Sequence, residues 1–197
     1  MNHKGIFASQ QSGYGMKNQF ELQLLTIGWI ENLEEELDLC AHGKVLARIG
    51  TSIVSDANAP TWTVSAAALY LLRTLTLNHT PAAPVCDQLL PCCGFSMWPD
   101  PSPEAAATAD VLIWGCPNGI DWAVEHFTAG VQLTTPAGEQ VIVSHQTYQQ
   151  AVLQFADEVE AFYQRSQPKA RPADAEDAAG YEAFWREWHR RYRQFSS

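Results

Sequence analysis

The part of the chain that most limits its possible folds runs from Asp110 to Val143, where short apolar stretches alternate with turn signals. Asn118-Gly119 is a strong hairpin signal, because both residues readily adopt the positive φ angles of a tight turn. Pro136-Ala137-Gly138 marks a further turn, with apolar and polar residues alternating on either side of it. The pattern predicts an antiparallel meander of four strands, in which Cys116 lies opposite Asp121.

Three segments outside this meander have the periodicity of helices. Ser65 is expected to cap a helix that is apolar on nearly all sides and carries Arg73 as its only charge. Thr147 is expected to begin an amphipathic helix that stops before Pro168. A closing helix is marked by a stripe of aromatic residues: Phe184, Trp188, Tyr192 and Phe195. The whole pattern predicts an α+β fold, an antiparallel β-meander packed against helices in a single domain.

The N-terminal half is expected to contribute strands and one more helix. Residues 20–24 and 45–53 alternate with period two and predict strands, whereas residues 30–37 have helical spacing and predict a short acidic helix. Six prolines between residues 80 and 109 predict an irregular connection with at most one short strand, around residues 94–98. Irregular segments of this length are often functional.

The composition divides the chain into three regions. Residues 1–18 predict a flexible N-terminal arm, residues 19–172 an α+β domain, and residues 173–197 a linker with a C-terminal aromatic helix packed on the domain. The small, acidic, Ala-rich linker is expected over residues 173–179. No apolar run approaches the roughly 20 residues of a membrane-spanning helix. The N-terminus lacks the apolar core of a signal peptide, so we expect a cytoplasmic protein that does not bind membranes.

The charge distribution favours some partners over others. The formal net charge is −10, and residues 1–159 carry 16 of the 22 acidic side chains but only 5 of the 12 basic ones. Nucleic acid is not expected as a partner, because a phosphate backbone is bound by clustered cations. An acidic body favours a basic protein partner by electrostatic steering, although the same charge also serves solubility. A homodimer is possible, since a helix that follows a linker can be exchanged between subunits.

Five cysteines carry most of the chemical possibilities of this sequence. Thiolates and imidazoles bind zinc, and the candidate ligands are Cys40, His42, Cys92, Cys93 and Cys116. The adjacent cysteines depart from the usual spacing of zinc ligands, and neighbours in an extended chain point to opposite faces. Buried, reduced thiols are therefore the alternative. A third possibility is a thiol nucleophile activated by one of four histidines: His42, His79, His126 and His145.

The C-terminal half combines a strand meander with the segment from Cys116 to His126 and a capped helix ending in Phe162-Tyr163. Ser166-Gln167-Pro168-Lys169 and a Trp-rich end follow. In this order of elements and motifs, the C-terminal half resembles small uncharacterised bacterial proteins of the kind found among toxin-immunity families. The resemblance implies an acidic cytoplasmic α+β protein that acts by binding, and it carries over no site residues.

Two functional hypotheses follow from these observations. The first is a non-catalytic, immunity-like protein that binds a basic partner and needs no cofactor, because the body is acidic and no catalytic motif is recognisable. The alternative is a small metal-dependent enzyme, with zinc as its metal, or a thiol enzyme. Its site would lie near Cys92, Cys93 and Cys116, where the proline-rich segment is expected to meet the meander.

Overall fold

A helix without an exposed face lies at the centre of the fold. In the computed structural model, which describes residues 19–94, 96–102, 108 and 110–195, helix α1 (Val64–Thr74) is buried at every position except Arg73. Helices α2 (His145–Arg165) and α3 (Ala175–Tyr192) both pack against it. The all-round apolar sequence of α1 is what allows neighbours on every side.

Within the described residues, the strands form three antiparallel sheets around these helices. The first contains β1 (Phe20–Gly28), β2 (His42–Ile49), β3 (Ser52–Ser55) and β4 (Trp62–Thr63), and β2 pairs with β1 on one edge and with β3 and β4 on the other. The second contains β5 (Ser96–Pro99) and β6 (Val111–Trp114). The third contains β7 (Ala123–Phe127), β8 (Gly130–Thr134) and β9 (Gln140–Val143). Helix α2 lies against β1 and β8, and α3 lies against β5 and β6. The predicted α+β class is confirmed.

The meander has three strands rather than four, because the Asn118-Gly119 turn does not join paired strands. β6 pairs with β5, the strand expected near residues 94–98, and β7 pairs with β8. After the turn, Ile120 exchanges two backbone hydrogen bonds of 2.9 Å with Leu90. A Cβ atom on Gly119 would lie 2.6 Å from Cβ of Gln88. The glycine therefore serves a close approach to the 88–90 segment instead of a hairpin.

The acidic helix predicted over residues 30–37 is wrong, since this segment consists of turns. Asn32 adopts a left-handed conformation with φ of 67°, which interrupts any helical path. The Asp38 carboxylate accepts hydrogen bonds from the backbone amides of Ile30 and Cys40, at 2.8 and 3.1 Å. Local side-chain bonds of this kind compete with helix formation.

The predicted helix caps are displaced by two or three residues. Thr63 precedes α1, so Ser65 lies inside the helix instead of capping it. Ser144 caps α2 by accepting the Thr147 amide at 3.0 Å, so Thr147 is the third residue of that helix. In both cases the helix begins before the first strongly periodic residue.

Two further boundaries differ from the sequence prediction. The linker expected over residues 173–179 is largely helical, because α3 begins at Ala175. Asp174 caps this helix by accepting the amides of its first turn, at 2.8 and 3.2 Å, and acidic residues are favourable at a helix N-terminus. The single strand expected over residues 45–53 is a hairpin, in which Gly50 turns the chain with φ of 61°.

The sequence also predicted a flexible N-terminal arm and the absence of a membrane-spanning helix. The flexible arm predicted for residues 1–18 lies outside the described residues. Among the helices that the structure describes, none has the length and apolar character needed to cross a membrane.

A buried ion pair joins α1 to α3. Arg73 contacts Glu187 through two parallel hydrogen bonds, Nε to Oε1 at 2.7 Å and Nη2 to Oε2 at 2.8 Å, and Glu187 is completely inaccessible. Arg73 also donates to the carbonyl oxygens of Val85 and Val111, and the Val111 amide donates back to Glu187 at 2.8 Å. Burial opposes ionisation of Glu187, but the hydrogen bonds and charge of Arg73 hold its pKa below the ordinary value.

The ion pair extends toward the surface through α3. Arg191 donates to Glu187 at 2.6 Å and to Asp110 at 2.9 Å, and Arg190 also bonds to Asp110. Asp110 immediately precedes β6. The network therefore fixes the start of that strand through the backbone of Val111 and through the side chain of Asp110.

Replacing Glu187 by Gln is expected to destabilise the protein by about 3–5 kcal/mol, because it removes the charge that compensates buried Arg73. The matched control is Arg48→Ala, which breaks a partly exposed pair with Glu21 (3.1 Å) and should cost less than about 1 kcal/mol. Urea denaturation measures both. Equal losses in the two variants would contradict a dominant role for the buried pair.

The stabilisation by Glu187 is also expected to depend on pH. Its pKa is lower in the folded protein, so its contribution is fully present above the unfolded value of about 4.3 and is lost as pH falls through the folded value. The difference in unfolding free energy between wild type and Glu187→Gln should therefore narrow below about pH 4. Denaturation curves at several pH values measure this, and a constant difference would argue against ionised Glu187.

Candidate functional site

Three of the cysteines predicted as site residues come together where the segment before β5 meets the segment after β6. The Cys116 amide donates to Sγ of Cys93 at 2.8 Å, and thiol–thiol hydrogen bonds connect Cys116 to both Cys93 and Cys92. All three residues are partly exposed and unpaired. The adjacent cysteines do not lie in an extended strand, so both can reach the third thiol. We call Cys92, Cys93 and Cys116 the thiol cluster.

Glycine and backbone contacts hold the two segments of the thiol cluster together. A Cβ atom on Gly115 would lie 2.0 Å from the carbonyl oxygen of Cys93, so only glycine permits this approach. The Thr63 amide donates to the Pro91 carbonyl oxygen at 2.9 Å and anchors the other side of the 91–94 segment. The sequence signal for this arrangement is the glycine beside each cysteine, after Cys93 and before Cys116.

The three thiols differ in acidity. Hydrogen bonds from the Cys93 thiol, the Asn118 amide and the Cys92 thiol hold the pKa of Cys116 below its ordinary value. The hydrogen bond to Cys116 raises the pKa of Cys92, and burial raises that of Cys93. Cys116 is therefore the first to form a thiolate. The predicted position of Cys116 opposite Asp121, which would have raised its pKa, is wrong because β6 and β7 are not paired.

Cys40 and His42, the other two predicted zinc ligands, have different surroundings. Cys40 is buried and its thiol donates to the Gly94 carbonyl oxygen at 3.3 Å. Burial raises the pKa of Cys40 to about 12, which keeps it a neutral thiol. His42 lies 3.8 Å from the Asp38 carboxylate. Within the described part of the chain, no group of three or more metal-ligating side chains is arranged to hold a metal ion, so the zinc set stays a sequence prediction.

The other histidines considered as bases for a thiol nucleophile bond to other groups. His79 is buried, its Nε2 contacts the Asp121 carboxylate at 2.9 Å, and its Nδ1 accepts the Val85 amide at 3.1 Å. His126 and His145 bond to backbone carbonyl oxygens through Nε2, at 2.8 and 3.0 Å. These hydrogen bonds account for the positions of the three histidines, and Asp121 is the hydrogen-bond partner of His79.

A second feature is an exposed apolar surface on the turns between β1 and β2. Ile30, Leu33 and Leu37 are 49, 45 and 52% exposed, and glutamates lie between them. Two clefts of about 360 and 430 Å³ share Leu37 and Leu39, and the larger extends to residues of β5 and α3. We call residues 30–39 the acidic loop. The sequence pattern assigned the apolar residues of this loop to the buried face of a helix.

The acidic loop is held in place at several points. Asp38 binds backbone amides on both sides of itself, at Ile30 and Cys40. Backbone amides after α2 donate to the Glu35 carboxylate and the Glu36 carbonyl oxygen, both at 2.8 Å. Lys169 lies 3.1 Å above the ring of Trp29, immediately before the loop. The exposed apolar side chains therefore project from a fixed backbone.

Replacing Gly115 by Ala is expected to separate the two segments of the thiol cluster, because the new Cβ atom would clash with the Cys93 carbonyl oxygen. Overpacking of this kind typically costs about 1–3 kcal/mol. Gly28→Ala is the matched control, since no atom lies within 4 Å of a Cβ built there. Urea denaturation compares the two variants, and a Gly115→Ala protein as stable as Gly28→Ala would contradict the close approach.

No family model, no curated protein and no solved structure matches this chain. The resemblance to toxin-immunity proteins is therefore still an expectation from the sequence.

Proposed function

We propose that this protein acts by binding rather than by catalysis, and that its acidic loop binds a basic amphipathic segment of another protein. The observation that carries the proposal is the exposure of Ile30, Leu33 and Leu37 on a fixed loop. Apolar side chains that face water gain free energy when a partner covers them, at about 25 cal/mol per Å². This mode of action is the one that the resemblance to toxin-immunity proteins implies.

The charges of the loop indicate the chemistry of the partner. Glu31, Glu34 and Glu36 are exposed around the apolar side chains, and the chain as a whole carries a net charge of −10. Lysine or arginine on the partner would complement these glutamates and accelerate association at low salt. A helix with apolar residues on one face and basic residues beside them combines both requirements.

The shape and rigidity of the surface also support binding. The clefts on either side of Leu37 and Leu39 have volumes of about 360 and 430 Å³, within the range of pockets that accept side chains or small ligands. Because the hydrogen bonds of Asp38 and of the residues after α2 already fix the loop, binding would order little additional backbone.

A synthetic helical peptide with leucines at helical spacing and lysines elsewhere tests the charge requirement. Wild type should bind it with an affinity that falls as salt rises. Removing three loop charges (Glu31→Gln, Glu34→Gln, Glu36→Gln) should weaken binding about tenfold at low salt. The control removes three charges elsewhere (Asp87→Asn, Glu125→Gln, Glu158→Gln) and should bind nearly as wild type. Isothermal titration calorimetry measures all three, and equal weakening in both triple variants would contradict a site on the loop.

The apolar requirement is tested separately with the same peptide. Leu33→Ser combined with Leu37→Ser should weaken binding about tenfold without changing its salt dependence. Ile142→Ser is the control, because Ile142 is 51% exposed on β9, outside the loop. Sedimentation velocity of the wild type distinguishes another occupant: concentration-dependent dimers that Leu33→Ser/Leu37→Ser abolishes would assign the surface to a second copy of this chain and overturn the proposal.

A further inference from the structure

The geometry points to a thiol–disulfide exchange site in the thiol cluster, with Cys116 as the attacking thiol, Cys93 as the resolving thiol and a small-molecule disulfide as substrate. The inference does not rest on the proposed binding function, because it uses none of the residues of the acidic loop.

The two reacting thiols are neighbours in the reduced protein. Sγ of Cys93 lies 2.8 Å from the Cys116 amide nitrogen, and the two thiols are joined by a hydrogen bond. The approach of Gly115 to the Cys93 carbonyl oxygen fixes the distance between the two backbone segments. A second constraint comes from the paired hydrogen bonds between Leu90 and Ile120, on the far side of the turn. A site built for exchange needs this preorganisation, because the resolving thiol must reach the mixed disulfide.

The surroundings of Cys116 stabilise its thiolate more than the thiolates of Cys92 and Cys93. Hydrogen bonding with the thiols of Cys93 and Cys92 and with the Asn118 amide lowers the pKa of Cys116. Hydrogen bonds to a thiolate stabilise the charged form, and the thiolate is the nucleophile in exchange. Cys116 is also partly exposed, so a small disulfide can reach it.

The exchange reaction balances without any group beyond the substrate. The Cys116 thiolate attacks one sulfur of the small disulfide, the S–S bond breaks, and one small thiolate leaves and takes a proton from water. The Cys93 thiol then gives its proton to water and attacks the Cys116 sulfur, the mixed disulfide bond breaks, and the second small thiolate leaves and takes a proton from water. Two electrons pass from the protein thiols to the substrate, giving one protein disulfide and two small thiols. Cys92 stays reduced.

Cys93 is assigned as the resolving thiol because of its backbone contact with Cys116. The amide of Cys116 donates to Sγ of Cys93, which places that sulfur directly over the reacting residue. Cys92 reaches Cys116 through its thiol hydrogen bond, without a corresponding contact to the backbone.

Oxidised glutathione is the probe for this reaction, with the fully reduced full-length protein. Intact mass spectrometry of the wild type should show loss of two hydrogens without a lasting adduct, and peptide mapping should show a Cys93–Cys116 linkage. Cys93→Ser should accumulate a glutathione adduct on Cys116. Cys116→Ser should react with oxidised glutathione at least about tenfold more slowly than the wild type, because its remaining thiols have raised pKa values. Cys92→Ser and Cys86→Ser should both retain the linkage.

Several results would overturn the assignment. These are a Cys93→Ser protein that still forms an internal disulfide, a Cys116→Ser protein that reacts at the wild-type rate, and a wild type that forms no adduct or linkage. Alkylation of the unmodified protein by iodoacetamide gives a test without any substitution. Cys116 should react fastest, and its pKa should lie below the ordinary value of a thiol; faster reaction at Cys92 or Cys93 would also overturn the assignment. The Glu31→Gln, Glu34→Gln, Glu36→Gln variant should keep full exchange activity, which separates failure of this site from failure of the binding proposal.

Discussion

The buried carboxylate of Glu187 is the group on which the arrangement of the other elements depends. Helix α1 can be surrounded on all sides only because the charge of Arg73, its one charged side chain, is compensated inside the protein. The same carboxylate accepts the Val111 amide and so fixes the beginning of β6. The far end of β6 leads directly into Gly115 and Cys116, so the position of the thiol cluster follows from the hydrogen bond between Val111 and Glu187 at the start of that strand.

Local patterns in the sequence predicted those parts of the fold that depend on local interactions. Alternation identified β1, β8 and β9, and apolar periodicity identified α2, because each of these elements packs one continuous face. The all-round apolar sequence identified α1. The partner of β6 was not predictable in this way. The partner is β5, which lies in a segment whose prolines suggested irregular structure. Close backbone approaches at Gly115 and Gly119 determine this pairing, and turn preferences do not predict such approaches.

The candidate sites were predictable to different degrees. Residue type identified Cys92, Cys93 and Cys116 as candidates. Their proximity could not be derived from spacing, because it depends on residues 115–120 not forming a hairpin turn. The acidic loop was assigned to a helix because three apolar residues happen to follow helical spacing. Side-chain hydrogen bonds of Asp38 and the left-handed backbone of Asn32 override that spacing, and as a result the apolar residues face water instead of the core.

The ion pair between α1 and α3 has a consequence for synthesis of the chain. Arg73 precedes its partner Glu187 by 114 residues, so a ribosome elongating at 5–20 residues per second needs roughly 6–20 s to deliver the compensating charge. During that interval a guanidinium without its carboxylate opposes closure of the core around α1, and the nascent chain is expected to wait in an open, chaperone-accessible state until α3 has emerged.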